Sequence, residues 1–457
     1  VSDYFILRRR LVFLTLLASR VASAATSTPT DIIRTDGYFL TPSNPIATVD
    51  QRDTERVALS VLEFAQVKQA KERAVFRWKA GVRGDPPAEA WAMFESSIDE
   101  YVFNYVLKAA ASDANFPKVV QIYTPPHEWF GVKSPGSRVA GDNPDNSYRI
   151  IPIAGDAKYE IKGRHFKQGP ADVTFTLVSD YATSKTLASL IGRDLQVGAD
   201  GTFVITVDPE AAQGRENHIQ STPAALFLFI RDSRSDWRQL PNALQVVRLD
   251  PPKAPPLTEQ QMAERAAATI VDDVPLVYWW SRLGQGQETN HMTAPFRPGA
   301  AAGGLATQVN TNGIVILKDD EAAVLTINPA GAAFRDVVLQ DYWYRTIEYW
   351  HRTSSMNNSQ AIANADGTVT YVISINDPGV HNWLDTGGLH QVLVQHRWQG
   401  LPPETADGQK PAIDIKIVKA SDLDRSLPAD MKRISSAERQ NQLSERFRAY
   451  STRWVDR

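Results

Sequence analysis

Asp377, Asn382, Trp383 and Asp385 fall within the loop DPGVHNWLD, and Arg397 follows one strand later. A carboxylate, an amide and an indole on one loop can hold the hydroxyls of a sugar while the ring covers its apolar face. The same residues have a plainer use. Asp377-Pro378-Gly379 is a turn signature, because Pro presets φ and Gly accepts positive φ. Asn382 and Asp385 can then satisfy backbone donors of a tight corner, with Trp383 plugging the end of a sheet. Both uses stay open at the level of sequence. In an enzyme, Asp377, Asp385 and Arg397 would belong to a hydrolase or lyase site acting on glycans or related small molecules. Asp336, Asp341, Glu348 and Asp385 are available for acid–base work. Glycoside cleavage needs two carboxyl groups at a set separation across the bond, which a linear sequence does not supply, so no catalytic pair is assigned.

Three other groupings invite chemistry. GDNPDNSY supplies Asp142, Asn143 and Asp145, oxygen donors of the kind calcium prefers. It lacks the EF-hand spacing, and an Asx/Pro turn leading into a strand explains it as well. On the strand after Asp385, alternation puts His390 and His396 on one face with Val392, Val394 and Trp398. Six residues separate the histidines by ~20 Å, too far for one metal. There is no HExxH, no cysteine, no GxSxG elbow and no phosphate loop after a strand. No transition metal or cofactor is implied. Finally, aromatic residues crowd the second half of the chain, among them Trp279, Trp280, Trp343, Trp350, Trp383 and Trp398. A ligand groove around Trp343 and Trp350, or a sheet covered on both faces, would each produce that crowding.

The elements that must position these groups can be read from periodicity. Apolar residues recur with a helical period from Asp53, and again after Asp85-Pro86-Pro87, with a stripe at Trp91, Phe94, Ile98, Tyr101, Val102 and Tyr105. Residues 51–147 therefore form a helical N-terminal region built on a helical pair, after a loop over 25–50. From Tyr148 the period becomes two, and 148–250 reads as a first β unit. Residues 251–304 hold a Pro-rich linker, a helix opened by the capping box Thr258 to Gln261, and a loop; Pro275 is expected to kink or end the helix near Asp273. Strands return over 305–403, and 404–457 is a tail with a helix capped by Ser435 and Glu438.

The two β units are related. Asp366 follows Asp200 by 166 residues, Asn382 follows Asn217 by 165, and Asp336 follows Asp172 by 164. The fold class is thus mainly β with flanking helices: duplicated β-sandwich or jelly-roll-like units behind an N-terminal helical pair. A single core shared by both units is the first expectation, and two separate sandwiches the second.

The N-terminal residues predict an exported protein. Arg8, Arg9 and Arg10 precede the apolar run from Leu11 to Ala18, and Ala22-Ser23-Ala24 fits a cleavage site. The run is too short to span a bilayer. A twin-arginine signal and an ordinary secretory signal both fit. Cleavage after residue 24 would leave a net charge of about −6, a poor basis for binding nucleic acid. With no cysteine, disulfides are excluded.

The second unit resembles the bacterial domain-of-unknown-function 1214 family. The resemblance rests on YWYRTIEYW (342–350), SSMNNSQA (354–361), ADGTVTYVIS and DPGVHNWLDTGG ending in HRW, and covers about residues 310–402. GDNPDNSY and the strands after it resemble the region often fused upstream of such domains. The resemblance implies a jelly-roll-like β fold and no settled activity. Where the family pattern reads NWLDTAGH, this chain has Gly387 for Ala and Leu389 for His, so any chemistry of that His is absent here. The resulting expectation is a periplasmic or secreted envelope protein that binds a carbohydrate-like or other small polar or aromatic ligand. A hydrolase or lyase, and a structural protein without a small ligand, are the alternatives. No integral membrane segment is expected after cleavage.

Overall fold

The computed structural model describes residues 37–82, 86–283, 288–305, 307–401 and 410–454. The expected signal sequence, residues 402–403 and the side chains of Trp279 and Trp280 lie outside what is described. Among the described residues no helix is long and apolar enough to cross a membrane.

The helical pair is present, with its first member broken in two. α1 (Val49–Leu62) and α2 (Ala65–Gly81) are separated at Glu63-Phe64, and α3 (Ala88–Ala110) follows with Pro87 in the cap position. α4 (Glu259–Leu283) opens on the expected Thr258–Gln261 box and runs through Pro275 instead of ending near Asp273. Burial of Ala263, Ala266, Ile270 and Val274 in the core shared with α1, α2 and α3 holds it across the missing hydrogen bond. The short α5 (Leu423–Ser426) precedes α6 (Ser436–Ser451), which carries the full Ser435–Glu438 capping box.

The first β unit contains β1 (Val120–Ile122), a small hairpin of β2 (His127–Trp129) and β3 (Val132–Ser134), then β4 (Asn146–Pro152), β5 (Tyr159–Arg164), β6 (Asp172–Val178), β7 (Thr186–Ile191), β8 (Thr202–Asp208), β9 (His218–Gln220), β10 (Phe227–Ser233) and β11 (Ala243–Arg248). The second contains β12 (His291–Met292), β13 (Val309–Ile316), β14 (Glu321–Asn328), β15 (Phe334–Gln340), β16 (Ser355–Asn357), β17 (Val369–Ser374), β18 (Trp383–Asp385), β19 (Gln391–Gln399) and β20 (Ala412–Lys419). Their sheets match strand for strand. The order β1-β4-β10-β6-β7 corresponds to β12-β13-β19-β15-β16, and β11-β5-β8-β9 to β20-β14-β17-β18. Even the exceptional parallel pairs correspond, β8 with β9 and β17 with β18. β20 completes the second unit from within the stretch expected to be only a tail.

Each unit closes on its own core. Ile151, Ile161, Phe175, Ile205, Leu228 and Ile230 fill the first, and Val315, Leu325, Val337, Tyr371, Val394 and Trp398 the second. The expectation of one shared core is therefore corrected to two sandwiches. The reason lies in alternation: the faces that the units turn toward each other carry polar side chains. On β19 the even residues Val392, Val394 and Trp398 point into the core, and Gln395, Arg397 and Gln399 lie on the other face. That second face is also buried, covered by the first unit and by the GDNPDNSY loop.

Candidate functional site in the seam between the units

The DPG…NWLD residues form a corner. Asn382 accepts from Ile362 N (2.9 Å) through Oδ1 and donates through Nδ2 to Ile362 O (2.7 Å) and Thr370 O (2.9 Å). Its counterpart Asn217 clamps the backbone of Gln196 in the same two-sided way, at 2.8 and 2.7 Å. Likewise Asp200 and Asp366 each accept from the backbone and hydroxyl of a threonine two residues on. A bonding pattern shared by both copies marks these residues as architecture. Asp377 accepts from Gly379 N and pairs with Arg439 of α6 at 2.9 Å, and Arg439 lies 5.0 Å from the Trp383 ring. Trp383 is buried and donates to Ser374 O. Asp385 accepts from Gly387 N (2.8 Å) and pairs with Arg352 (2.9 Å). Replacing Asp385 with Ala is expected to cost about 1 kcal/mol, because Arg352 is half exposed and screened. A urea midpoint measures that loss.

The remaining expected residues separate. Trp343 lies in the helical core, donating to Ala90 O (2.6 Å) with its ring 4.9 Å from Phe94. Trp350 stacks on Tyr450 of α6 at 5.4 Å. Neither meets the corner, and the aromatic crowding reflects a sheet and loop covered by helices. The calcium candidates are spent on the seam. Asp142 accepts from Thr346 N (2.9 Å) and Oγ1 (2.7 Å), Asn143 donates to Asp336, and Asp145 accepts from Trp237 and Asn357. Among the described residues no group of three or more His, Asp or Glu is arranged to hold a metal ion.

Of the expected site residues only Arg397 and Asp142 reach a cleft with room for a ligand. It has a volume of about 300 Å³ and lies where β4 and β10 of the first unit face β13 and β19 of the second. Register explains its walls. Arg231 stands opposite Tyr148 in the β10–β4 ladder, and Arg397 opposite Asn310 in the β19–β13 ladder, so each pair shares a face. Tyr123, with φ +60°, and Phe229 extend the aromatic wall beside Tyr148, at ring distances of 5.1 and 5.6 Å. Tyr344, also left-handed at φ +66°, closes the other side against Gly141. A Cβ at Gly141 would stand 2.8 Å from the Tyr344 ring, so this approach requires glycine.

The electrostatics distinguish the two arginines. Arg397 is spoken for, by Asp336 (3.3 Å), Gly141 O (2.8 Å) and Gln395. Burial works to lower its pKa, and Asp336 together with Tyr148, Tyr344 and Asp142 outweighs it, so the net shift is upward. Among the described residues Arg231 donates to Thr176 Oγ1 (3.4 Å) and Gly303 O (3.2 Å) and to no carboxylate, and its guanidinium lies over the Phe229 ring at 4.1 Å. Burial lowers its pKa, with the neighbouring Arg397 adding to the effect. Burial also pushes the Tyr148 hydroxyl up to about 12, against the pull of both arginines. This cleft was hidden from sequence reasoning because Arg231, Gln395 and Arg397 alternate with core residues, a pattern indistinguishable from a solvent-facing side.

Three carboxyls give the seam a pH dependence. Burial raises Asp336 to about 7, against Arg397, and raises Asp142 and Asp172 to about 6. In the unfolded chain an Asp titrates near ~3.9. The folded state therefore binds more protons between these values, and stability falls as pH rises from about 4 through 7. Thermal unfolding is expected at a higher temperature at pH 5 than at pH 8, with a shallower slope in Asp336→Asn.

With this geometry in place, the chain can be compared with known proteins. No family model matches it, and no curated protein does. Among solved structures it is similar to an uncharacterized protein from Burkholderia cenocepacia, at 22% identity and a TM-score of 0.64, covering 80% of this chain and 99% of the other. The VPA0106 protein from Vibrio parahaemolyticus also matches, at 12% identity and a TM-score of 0.40, covering 71% and 99%. The likeness to the Burkholderia protein shows a shared fold.

Proposed function

We propose that this is an exported binding protein that holds a small anionic, ring-bearing ligand, such as a sugar acid or an aromatic acid, in the seam between its β units. One observation carries the reading: Arg231, largely buried on the cleft wall, is met by a hydroxyl and a carbonyl but, among the described residues, by no carboxylate. A ligand carboxylate would complete its fork, as guanidinium geometry favours. Tyr148, Tyr123 and Phe229 offer ring faces beside it, and Gln395 and Asn310 offer amides. Export is supported by the basic and apolar residues before Ala24. The likeness of the second unit to domain-of-unknown-function 1214 belongs to the same reading.

The test is calorimetric titration with sugar acids and aromatic carboxylates, their neutral analogues as controls. Arg231→Gln is expected to weaken binding of the acids by roughly 10- to 100-fold, the value of a charge-assisted hydrogen bond. Asp385→Ala should leave it unchanged. Equal binding of acids and neutral analogues would sink the proposal. A hydrolase or lyase on the same ligands is the second reading, favoured by Asp142, a wall carboxyl raised to about 6 by burial. Turnover of a bound glycan acid that disappears in Asp142→Asn would select it.

A further inference from the structure

A second cavity, of about 510 Å³, opens under the C-terminal helix, away from the cleft. Its wall includes Trp237 and Arg446, whose guanidinium lies 4.2 Å from the Trp237 ring centroid. Arg446 is more than nine-tenths buried. It donates to Tyr349 O through Nε and to Ser355 Oγ (2.7 Å) through Nη2, and among the described residues no carboxylate receives it. At the rim, Arg238 is paired with Asp236, and Arg448 stands with Glu445, so the rim charges balance.

The charge behind the wall does not balance. Arg453, 4.7 Å from the same Trp237 ring, and Arg234, just past β10, are also buried, and the fields of all three arginines converge on one carboxylate, Asp145. Asp145 spends Oδ1 on Trp237 and Asn357, and among the described residues its Oδ2 has no hydrogen-bond partner. The Nε atoms of Arg234 and Arg453 are likewise without partners. Glu348 also acts on Arg446, but from a partly exposed position that it shares with Arg352 (3.8 Å), and Asp232 reaches Arg234 but is paired with Arg149. Three buried cations thus outnumber the carboxylate charge left to balance them, a state that a protein avoids unless a counter-charge is supplied. Burial lowers Arg446 to about 10, the sign of a guanidinium lacking its counter-ion.

We infer that this cavity binds an oxyanion, the carboxylate or phosphate group of a small molecule, with Arg446 as its direct contact and Arg234 and Arg453 supplying the field behind it. The Trp237 ring borders the part of the cavity that the rest of the molecule would occupy. This site is independent of the cleft, so its failure and that of the cleft are separable.

The test is thermal unfolding of the full chain with inorganic phosphate and with acetate, each against chloride at matched ionic strength. A saturable rise of roughly 3 °C is expected at a hundredfold excess over Kd. It should persist in Arg231→Gln and vanish in Arg446→Met. Ala449→Phe, which fills the cavity from α6 and keeps every charge, should abolish it too, and decides the matter if Arg446→Met does not fold. A response to phosphate but not acetate assigns a phosphate site, and the converse a carboxylate site. Equal midpoints in all three salts, or a rise that survives Ala449→Phe in the Arg231→Gln background, where the cleft no longer contributes, would overturn the inference.

Discussion

Replacing Asp232 with alanine is expected to cost about 3–5 kcal/mol of folding free energy, the range for breaking a buried ion pair from one side. Asp232 is fully buried on the inner face of β10 and pairs with Arg149 of β4, itself almost entirely buried. Asn242 donates to Asp232 through its backbone N (3.3 Å) and Nδ2 (2.8 Å), while Arg149 donates to Asn242 O (2.6 Å). Alanine would leave the guanidinium with one carbonyl and no counter-charge inside a hydrocarbon core. The urea midpoint measures the loss, and a change below about 1 kcal/mol would show that the core readily admits water to Arg149. The paired replacement Arg149→Met with Asp232→Leu should recover most of the stability, because it removes the stranded charge along with its partner. The second unit shows that the fold does not need this pair. At the offset that aligns Asp172 with Asp336, Asp232 corresponds to His396 and Arg149 to Gly313. A side chain at Gly313 would collide with His291 O and Met292 of β12, so the second copy has no room for the arginine.

Glu100→Ala is expected to lose a similar amount, about 3–5 kcal/mol, and to loosen the joint among three parts of the molecule. Glu100 sits on α3 and is buried. It accepts from Arg138 through Oε2 (Nε, 2.8 Å; backbone N, 3.1 Å) and Oε1 (Nη2, 2.6 Å), and from Arg345 through Oε1 (2.8 Å). Arg138 continues to Thr346 O, and Arg345 to Asp341. One carboxylate thereby ties the helical layer to the segment preceding the GDNPDNSY loop and to the second unit. Glu100→Gln keeps the shape but removes the charge shared by two guanidinia, so it should fall between wild type and alanine. Because Thr346 also holds Asp142 on the cleft wall, both variants are expected to weaken ligand binding in proportion to the disturbance of that wall. A Glu100→Ala protein with unchanged stability would contradict the assignment of this joint.

Much of the architecture was legible in the chain because its signals are local. Two capping boxes were read from residues three apart and are formed as read, at Thr258–Gln261 and Ser435–Glu438. The duplication was legible from Asp200/Asp366 and Asn217/Asn382, and these pairs keep the same bonds because the same turn recurs in both copies. Alternation on β19 correctly separated Val392 and Val394 from Gln395 and Arg397. Composition settled that no disulfide or thiolate chemistry operates here.

What sequence could not decide is which surfaces meet. A polar strand face has the same period whether it faces water or another sandwich, so the seam, its cleft and Arg231 emerged only in three dimensions. The helix through Pro275 and the strand β20 beyond residue 403 depend on neighbours that offset a weak local signal. The DPG…NWLD loop had the right residue types for a site, but tertiary bonds to Ile362, Arg439 and Arg352 commit them to a corner. Residue types and short-range periods are written in the chain. Whether a buried polar group is satisfied by the fold or left for a ligand depends on partners hundreds of residues away.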